Sequence, residues 1–292
     1  MLTLQVVLTG LLLGGLYACM ALGFSLIWGV TNLINLAHGS MIIIGAYIAW
    51  WAHARFGLDP FLAMPFSALA LFVLGYSLQR VLLNRIVRVS LFMSLILTFG
   101  LDMVLVNVNL ALFSADVRSI TLPYSGAALD LWGLRVPYTR LAVFLLAMLL
   151  TLALTLFLNH SRIGRAIRAS AQHPRAASLL GVDTPQVYAV TFGLGCAMAG
   201  AAGTLLAVLY SFSPLTGASL AMKSFVIVVL GGLGSVPGAI VAGILLGVCE
   251  NLVSGLLVPG YRDAVSFLLL LAVLVARPRG LFGNRYLFEA RL

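Results

Sequence analysis

The side chains able to do chemistry in this sequence are few, and most stand inside apolar stretches. Asn32, Asn35 and His38 recur at every third position of Gly29-Val-Thr-Asn-Leu-Ile-Asn-Leu-Ala-His-Gly39. An α-helix turning ~100° per residue would set them along one side as a polar stripe. Such a stripe either lines a path for a solute or marks a broken helix whose side chains satisfy freed backbone groups. The flanking glycines and paired asparagines favour the second reading. No other His, Cys or carboxylate stands at ligand spacing from His38, so no metal site is expected. Asp102 and Glu250 each interrupt an apolar run. At mid-membrane an ionised group costs ~2.5–3.5 kcal/mol on insertion scales and usually faces the bundle interior. Both are therefore candidates to line a path, beside a structural reading as hydrogen-bonding groups between helices. The single lysine, Lys223, follows no Gly-x-x-x-x-Gly-Lys-Ser/Thr phosphate loop, so ATP hydrolysis is not expected on this chain. Cys19, Cys196 and Cys249 lie in apolar runs and read as small buried residues, with no disulfide framework. No nucleophile–base or metal constellation marks an enzyme, and no cofactor is expected on the chain itself.

The elements that must hold these residues are membrane helices. Of 292 residues, 62% are hydrophobic and 9% charged, against roughly 25% charged in soluble domains. Apolar stretches run over 4–30, 39–54, 61–79, 91–113, 141–158, 187–212, 223–235, 237–258 and 264–276. A span needs about 20 residues at 1.5 Å rise. The first stretch lacks the basic flank of a signal peptide and is expected to be retained. The fold class predicted is all-α, a polytopic transmembrane helical bundle of about 8–10 membrane segments in one domain over 1–292. The short stretches 39–54 and 223–235 are candidates for re-entrant segments. Small residues at Gly10 and Gly14, Ala199 and Gly203, Gly234 and Gly238, and Gly243 and Gly247 are spaced for close helix packing.

A net charge of +9 would suggest nucleic acid in a soluble protein, but here the charges lie between spans and no nucleic-acid partner is expected. Segments 80–90, 159–186 and 277–292 hold eleven arginines, whereas 55–60, 114–140 and 259–263 hold five. The basic set is assigned to the cytoplasm. This puts the C-terminus inside, and the N-terminus outside if both early stretches span.

The segment from Ser161 to Asp183 is too long and alanine-rich for a passive turn. It reads as two short helices, the second starting with Pro174 at its first position and stopping at Gly181 in a left-handed cap. Asp183 or Thr184 then caps the next span. With Arg165, Arg168 and Arg175 beside Ala169, Ala171, Ala176 and Ala177, the segment suits either a groove on another protein or an interfacial helix touching anionic lipid.

Arg175-Ala-Ala-Ser-Leu-Leu-Gly181 resembles the Glu-Ala-Ala-x-x-x-Gly loop of ABC-importer permeases, with Arg in place of Glu. Gly164-Arg-Ala-x-Arg-Ala169, followed by Ala176, Ala177, Leu179 and Gly181-Val, is similar to the high-affinity branched-chain amino acid permeases. So are Gly29 to Gly39 with Gly45-Ala-Tyr47, Leu230-Gly-Gly-Leu-Gly-Ser-Val-Pro-Gly-Ala239, and Arg277-Pro-Arg-Gly-Leu-Phe-Gly283.

The resemblance implies a permease subunit of an ATP-driven importer in a bacterial cytoplasmic (inner) membrane, multi-pass and surrounded by lipid. It implies partners: two ATP-binding subunits carrying ATP and Mg, a second related permease or a copy of this chain, and an extracytoplasmic substrate-binding protein. It also implies a coupling loop at 159–186 built on Gly164, Arg165, Arg168, Ala169, Arg175, Ala176, Ala177, Leu179 and Gly181. Asn32, Asn35, His38, Asp102 and Glu250 remain the path candidates. Related permeases carrying urea, short-chain amides, sugars or nucleosides fit the same residues. A self-contained channel or secondary transporter would leave 159–186 without a purpose.

Overall fold

The computed structural model describes residues 2–85, 91–124, 126–131, 134–256 and 259–283. Eleven α-helices occur among them: α1 (Leu2–Thr31), α2 (His38–Phe56), α3 (Pro60–Val81), α4 (Leu91–Phe113), α5 (Tyr138–His160), α6 (Arg162–Gln172), α7 (Pro174–Leu179), α8 (Thr184–Leu209), α9 (Gly217–Gly231), α10 (Val236–Leu256) and α11 (Arg262–Ala276). Each of the nine apolar stretches becomes one helix, and α6 and α7 are the two short helices expected between them. Seven helices are long and apolar enough to cross a membrane; the apolar part of α11, Ala264–Ala276, is shorter. Starts follow local chemistry. Asp59 accepts from Phe61 N–H at 2.9 Å ahead of α3, whose first residue is Pro60. Asp183 accepts from Gln186 N–H at 3.2 Å ahead of α8.

The helical bundle predicted from the sequence carries one short strand pair in a loop. Within 114–140, β1 (Ala128–Leu131) pairs antiparallel with β2 (Leu134–Pro137), Ala128 opposite Pro137 and Asp130 opposite Arg135. Four residues a side carry no hydrophobic alternation strong enough to read in advance.

Two helices form the centre. In their most apolar windows α1 is 72% buried and α8 78%, against 11% for α4. α3, α2 and α1 pack on α8, while α10 lies along α1. The α1–α10 contact is the expected small-residue face. A Cβ on Gly14 would stand 2.5 Å from Ile244 Cα, and one on Gly247 2.6 Å from Gly14 Cα. With no hydrophobic drive between helices in lipid, backbones this close supply the packing. Gly234 differs from expectation: it has φ +79 in the turn between α9 and α10, so it does not share a helical face with Gly238.

The ends of the bundle sort as the arginines do. Gln5 exchanges hydrogen bonds with Arg135, donating to its carbonyl at 2.5 Å and accepting from its N–H at 2.9 Å. Arg118 pairs with Phe212 through both backbone groups, and Tyr124 donates to Asp59 at 2.5 Å. Burial and the Asp59 carboxylate together push the Tyr124 phenol well above its ordinary pKa. At the opposite end Gly29 meets Gly234, Asn84 donates to the Pro185 carbonyl at 3.2 Å, and Leu281 N–H donates to the Leu230 carbonyl at 2.8 Å. The N-terminal end of α1 therefore lies with 55–60 and 114–140. The basic segments 80–90 and 277–292 lie partly outside the described residues, including Arg88, Arg285, Glu289 and Arg291.

Candidate functional site

The stretch from Gly29 to Gly39 is a broken helix, the reading its flanking glycines and paired asparagines favour. α1 stops at Thr31, Asn32 takes φ +54, and 32–37 are unwound before α2. His38, the first residue of α2, is fully buried with Nε2 2.9 Å from the Met20 carbonyl oxygen. Thr31 lies about 16 Å further along α1 at 1.5 Å per residue. The unwound stretch thus climbs back to the depth of the middle of α1, where irregular backbone survives only inside protein or against a cavity. Thr98 of α4 donates to the Ile34 carbonyl at 2.8 Å, and Phe24 meets the His38 ring edge-on at 5.5 Å. Asn35 is fully buried with Nδ2 3.8 Å from Met41 Sδ.

Asp102 belongs to the same neighbourhood. It accepts from Ser40 Oγ at 2.5 Å, joining α4 to the first turn of α2. Asn35, His38 and Asp102 therefore gather around the start of α2, whereas Asn32 is exposed at the break. Because the residues are not on one helix, the three-residue spacing does not produce a stripe.

Glu250 stands in a second cluster. Fully buried on α10, it accepts from Tyr17 Oη of α1 at 2.7 Å and from Ser266 Oγ of α11 at 2.6 Å. Lys223 Nζ of α9 lies 3.2 Å from Oε1 and 3.3 Å from Oε2, with its side chain 16% exposed. Four helices meet on one carboxylate. Sequence reasoning considered Lys223 only as an ATP ligand and missed this pairing. The available signal was a single lysine in one apolar run and a single glutamate in the next, since intramembrane charges pair with one another.

The third cluster is α6 and α7. Ser161 accepts from Gly164 N–H at 2.8 Å to start α6. A Cβ on Gly164 would meet the carbonyl oxygens of Leu158 and Phe157, so the tight turn out of α5 requires glycine. Arg165 donates to the His160 carbonyl at 3.1 Å, while Arg168 donates to Asn159 Oδ1 at 3.0 Å and its carbonyl at 3.2 Å. α7 begins at Pro174. It ends in a Schellman-type arrangement with Gly181 at φ +85 and Val182 N–H donating to the Ala177 carbonyl at 3.0 Å. Ala177 is buried beneath the turn. Ala169, Arg175 and Ala176 are exposed, and Leu179 and Leu180 are 89% and 86% exposed.

A family model described as branched-chain amino acid transport system / permease component matches residues 6–274. The chain belongs to this permease family. The high-affinity branched-chain amino acid transport system permease protein LivH of Salmonella typhimurium is 36% identical over 295 residues, 96% of both chains. The corresponding protein BraD of Pseudomonas aeruginosa is 34% identical over 296 residues, again 96% of each. The high-affinity branched-chain amino acid transport system permease protein LivM of Escherichia coli is 29% identical over 289 residues, 91% of this chain and 67% of that one. No solved structure matches the permease. With its membrane-length helices, the permease is a multi-pass membrane protein and a transport component.

Proposed function

We propose that this permease is the membrane-spanning subunit of an ATP-driven importer that carries branched-chain amino acids across a bacterial cytoplasmic membrane. In this reading a second related permease pairs with it, two separate ATP-binding subunits hold ATP and Mg, and an extracytoplasmic binding protein delivers the substrate. α6 and α7 are the contact with the ATP-binding subunit.

The observation that carries the coupling role is the exposure of Leu179 and Leu180 on the short capped helix α7. Neighbouring apolar side chains left bare at the arginine-rich end suit burial in a partner's groove. Gly164 and Gly181 give the segment defined turns at both ends, so it can transmit displacement as a unit. Branched-chain amino acids as the substrate are supported by the 34–36% identity, over 96% of the chain, to branched-chain amino acid permeases. The path is assigned to Asn35, His38 and Asp102 around the unwound start of α2, with Asn32 at its edge. Glu250, paired with Lys223, fixes the helices behind it.

Purification in mild detergent after expression from the native gene neighbourhood tests the assembly. An ATPase and a second permease are expected to come along. Reconstituted with them and the binding protein, the chain should accumulate leucine, isoleucine and valine only with ATP. Uptake by this chain alone without ATP would overturn the subunit reading, and a binding protein selective for urea would overturn the substrate.

A further inference from the structure

Beneath α6, at the arginine-rich end of the bundle, lies a cavity of about 460 Å³ walled by α1, α5, α6 and the turn into α10. Its volume falls within the ~300–1,000 Å³ of small-molecule sites. Leu26, Val30, Leu158 and Ile167 give it an apolar wall, and Ser25, Thr155, Asn159, Arg168, Gln172 and Ser235 its polar groups. Among the described residues Arg168 is the single charged residue of the lining, and none of them presents a carboxylate to it from the four walls.

Two observations point to a ligand. The hydroxyl of Ser25 is buried, the residue 1% exposed, and has no hydrogen-bond partner among the described residues. Of the buried hydroxyls without a partner among the described residues of the walling helices, Thr151 of α5 and Ser170 of α6 lie outside the lining and Ser25 lies in it, whereas the buried Thr31 hydroxyl of α1 bonds back one turn to the Ile27 carbonyl at 2.8 Å. Ser25 does not, and a buried group left unsatisfied calls for a partner. Arg168 is exposed and spends two donors on Asn159, out of the five in its guanidinium fork.

We propose that this cavity binds a small branched aliphatic carboxylate arriving from the cytoplasmic side. The carboxylate lies toward Arg168 and Gln172, the aliphatic part lies against Leu26, Val30 and Ile167, and Ser25 donates to an oxygen on the second carbon. A cationic amino group would find no acid in the lining, so the chemistry favours a 2-oxo acid over the amino acid itself. The ligand joins α6 to α1 and holds α6 in place.

Calorimetric titration of the purified full-length chain with 4-methyl-2-oxopentanoate, in nanodiscs of neutral phosphatidylcholine, tests the site. Saturable binding is expected, weaker with leucine and absent with 4-methylpentanol. Ser25→Ala should leave the unliganded chain as heat-stable as the parent while weakening binding up to about tenfold, the loss of one hydrogen bond. Arg168→Gln should abolish binding. The proposal is overturned by no saturable binding up to roughly 10 mM, by equal binding of the alcohol, or by unchanged affinity in Ser25→Ala. It is also overturned if phosphatidylglycerol nanodiscs alone stabilise the chain and the oxo acid does not compete, which makes the cavity a lipid headgroup site. Binding is read without partners, so a failure of amino-acid uptake with titration intact would sink the transport reading and leave this site standing.

Discussion

Lys223 and Glu250 sit level with Tyr17, near the middle of a 30-residue helix, where neither charge has bulk water to fall back on. Breaking one partner of such a pair costs ~3–5 kcal/mol, because the other stays buried and uncompensated, whereas replacing both with apolar residues of similar volume is often neutral. Lys223→Met should therefore lower stability by about 3–5 kcal/mol, and Lys223→Met combined with Glu250→Leu should recover most of it. Denaturant unfolding in detergent reads both. Equal stability of Lys223→Met and the parent would mean that the pair contributes nothing. Gly164 works through shape instead. Gly164→Ala drives a methyl into the carbonyl oxygens of Phe157 and Leu158, with a strain of ~1–3 kcal/mol that shifts α6 off the end of α5. Faster tryptic cleavage at Arg165 and Arg168, with cleavage elsewhere unchanged, is the expected sign.

At the scale of elements, α7 has little to hold it inside the chain. Pro174 opens it, Gly181 closes it, and only Ala177 is buried between them. Gly181→Trp puts a bulky side chain at φ +85, where open space surrounds the backbone but L-residues are strained. The protein should still insert, while uptake and ATPase coupling are lost; normal uptake would count against the coupling role. The boundaries of α7 were legible because Pro and Gly act locally, through one φ angle and one missing N–H. The nine apolar helices were legible because hydrocarbon demands length. The break before α2 was legible in the flanking glycines and paired asparagines of 29–39, but its depth was not, since the apolar pattern of 29–54 says nothing of where in the bilayer the chain unwinds. Lys223 was hidden for a related reason: its pairing with Glu250 joins α9 to α10 across 27 positions, and only the fold supplies that contact.

For the whole molecule the open quantity is the direction in which it crosses the membrane, because an ATP-binding partner works only on the cytoplasmic side. The structure ties the first turns of α1 to β2 through Gln5 and Arg135, and the far end of α1 to the turn before α10 through Gly29 and Gly234. Since α6, α7 and the 277–283 segment share that far end, one measured position orients the rest. Leu4, 56% exposed, and Leu179, 89% exposed, mark the two ends. Cys19 and Cys196 are buried and give no background, while Cys249, half-buried, is changed to Ala. In intact cells a membrane-impermeant maleimide should label Leu4→Cys at once and Leu179→Cys only after permeabilisation. Arginine asymmetry and an ATP-coupled α7 require the same outcome for independent reasons, one from insertion and the other from the location of ATP. Labelling of Leu179→Cys from outside would therefore invert the topology and remove the coupling role together, leaving the bare leucines of α7 to an extracellular partner.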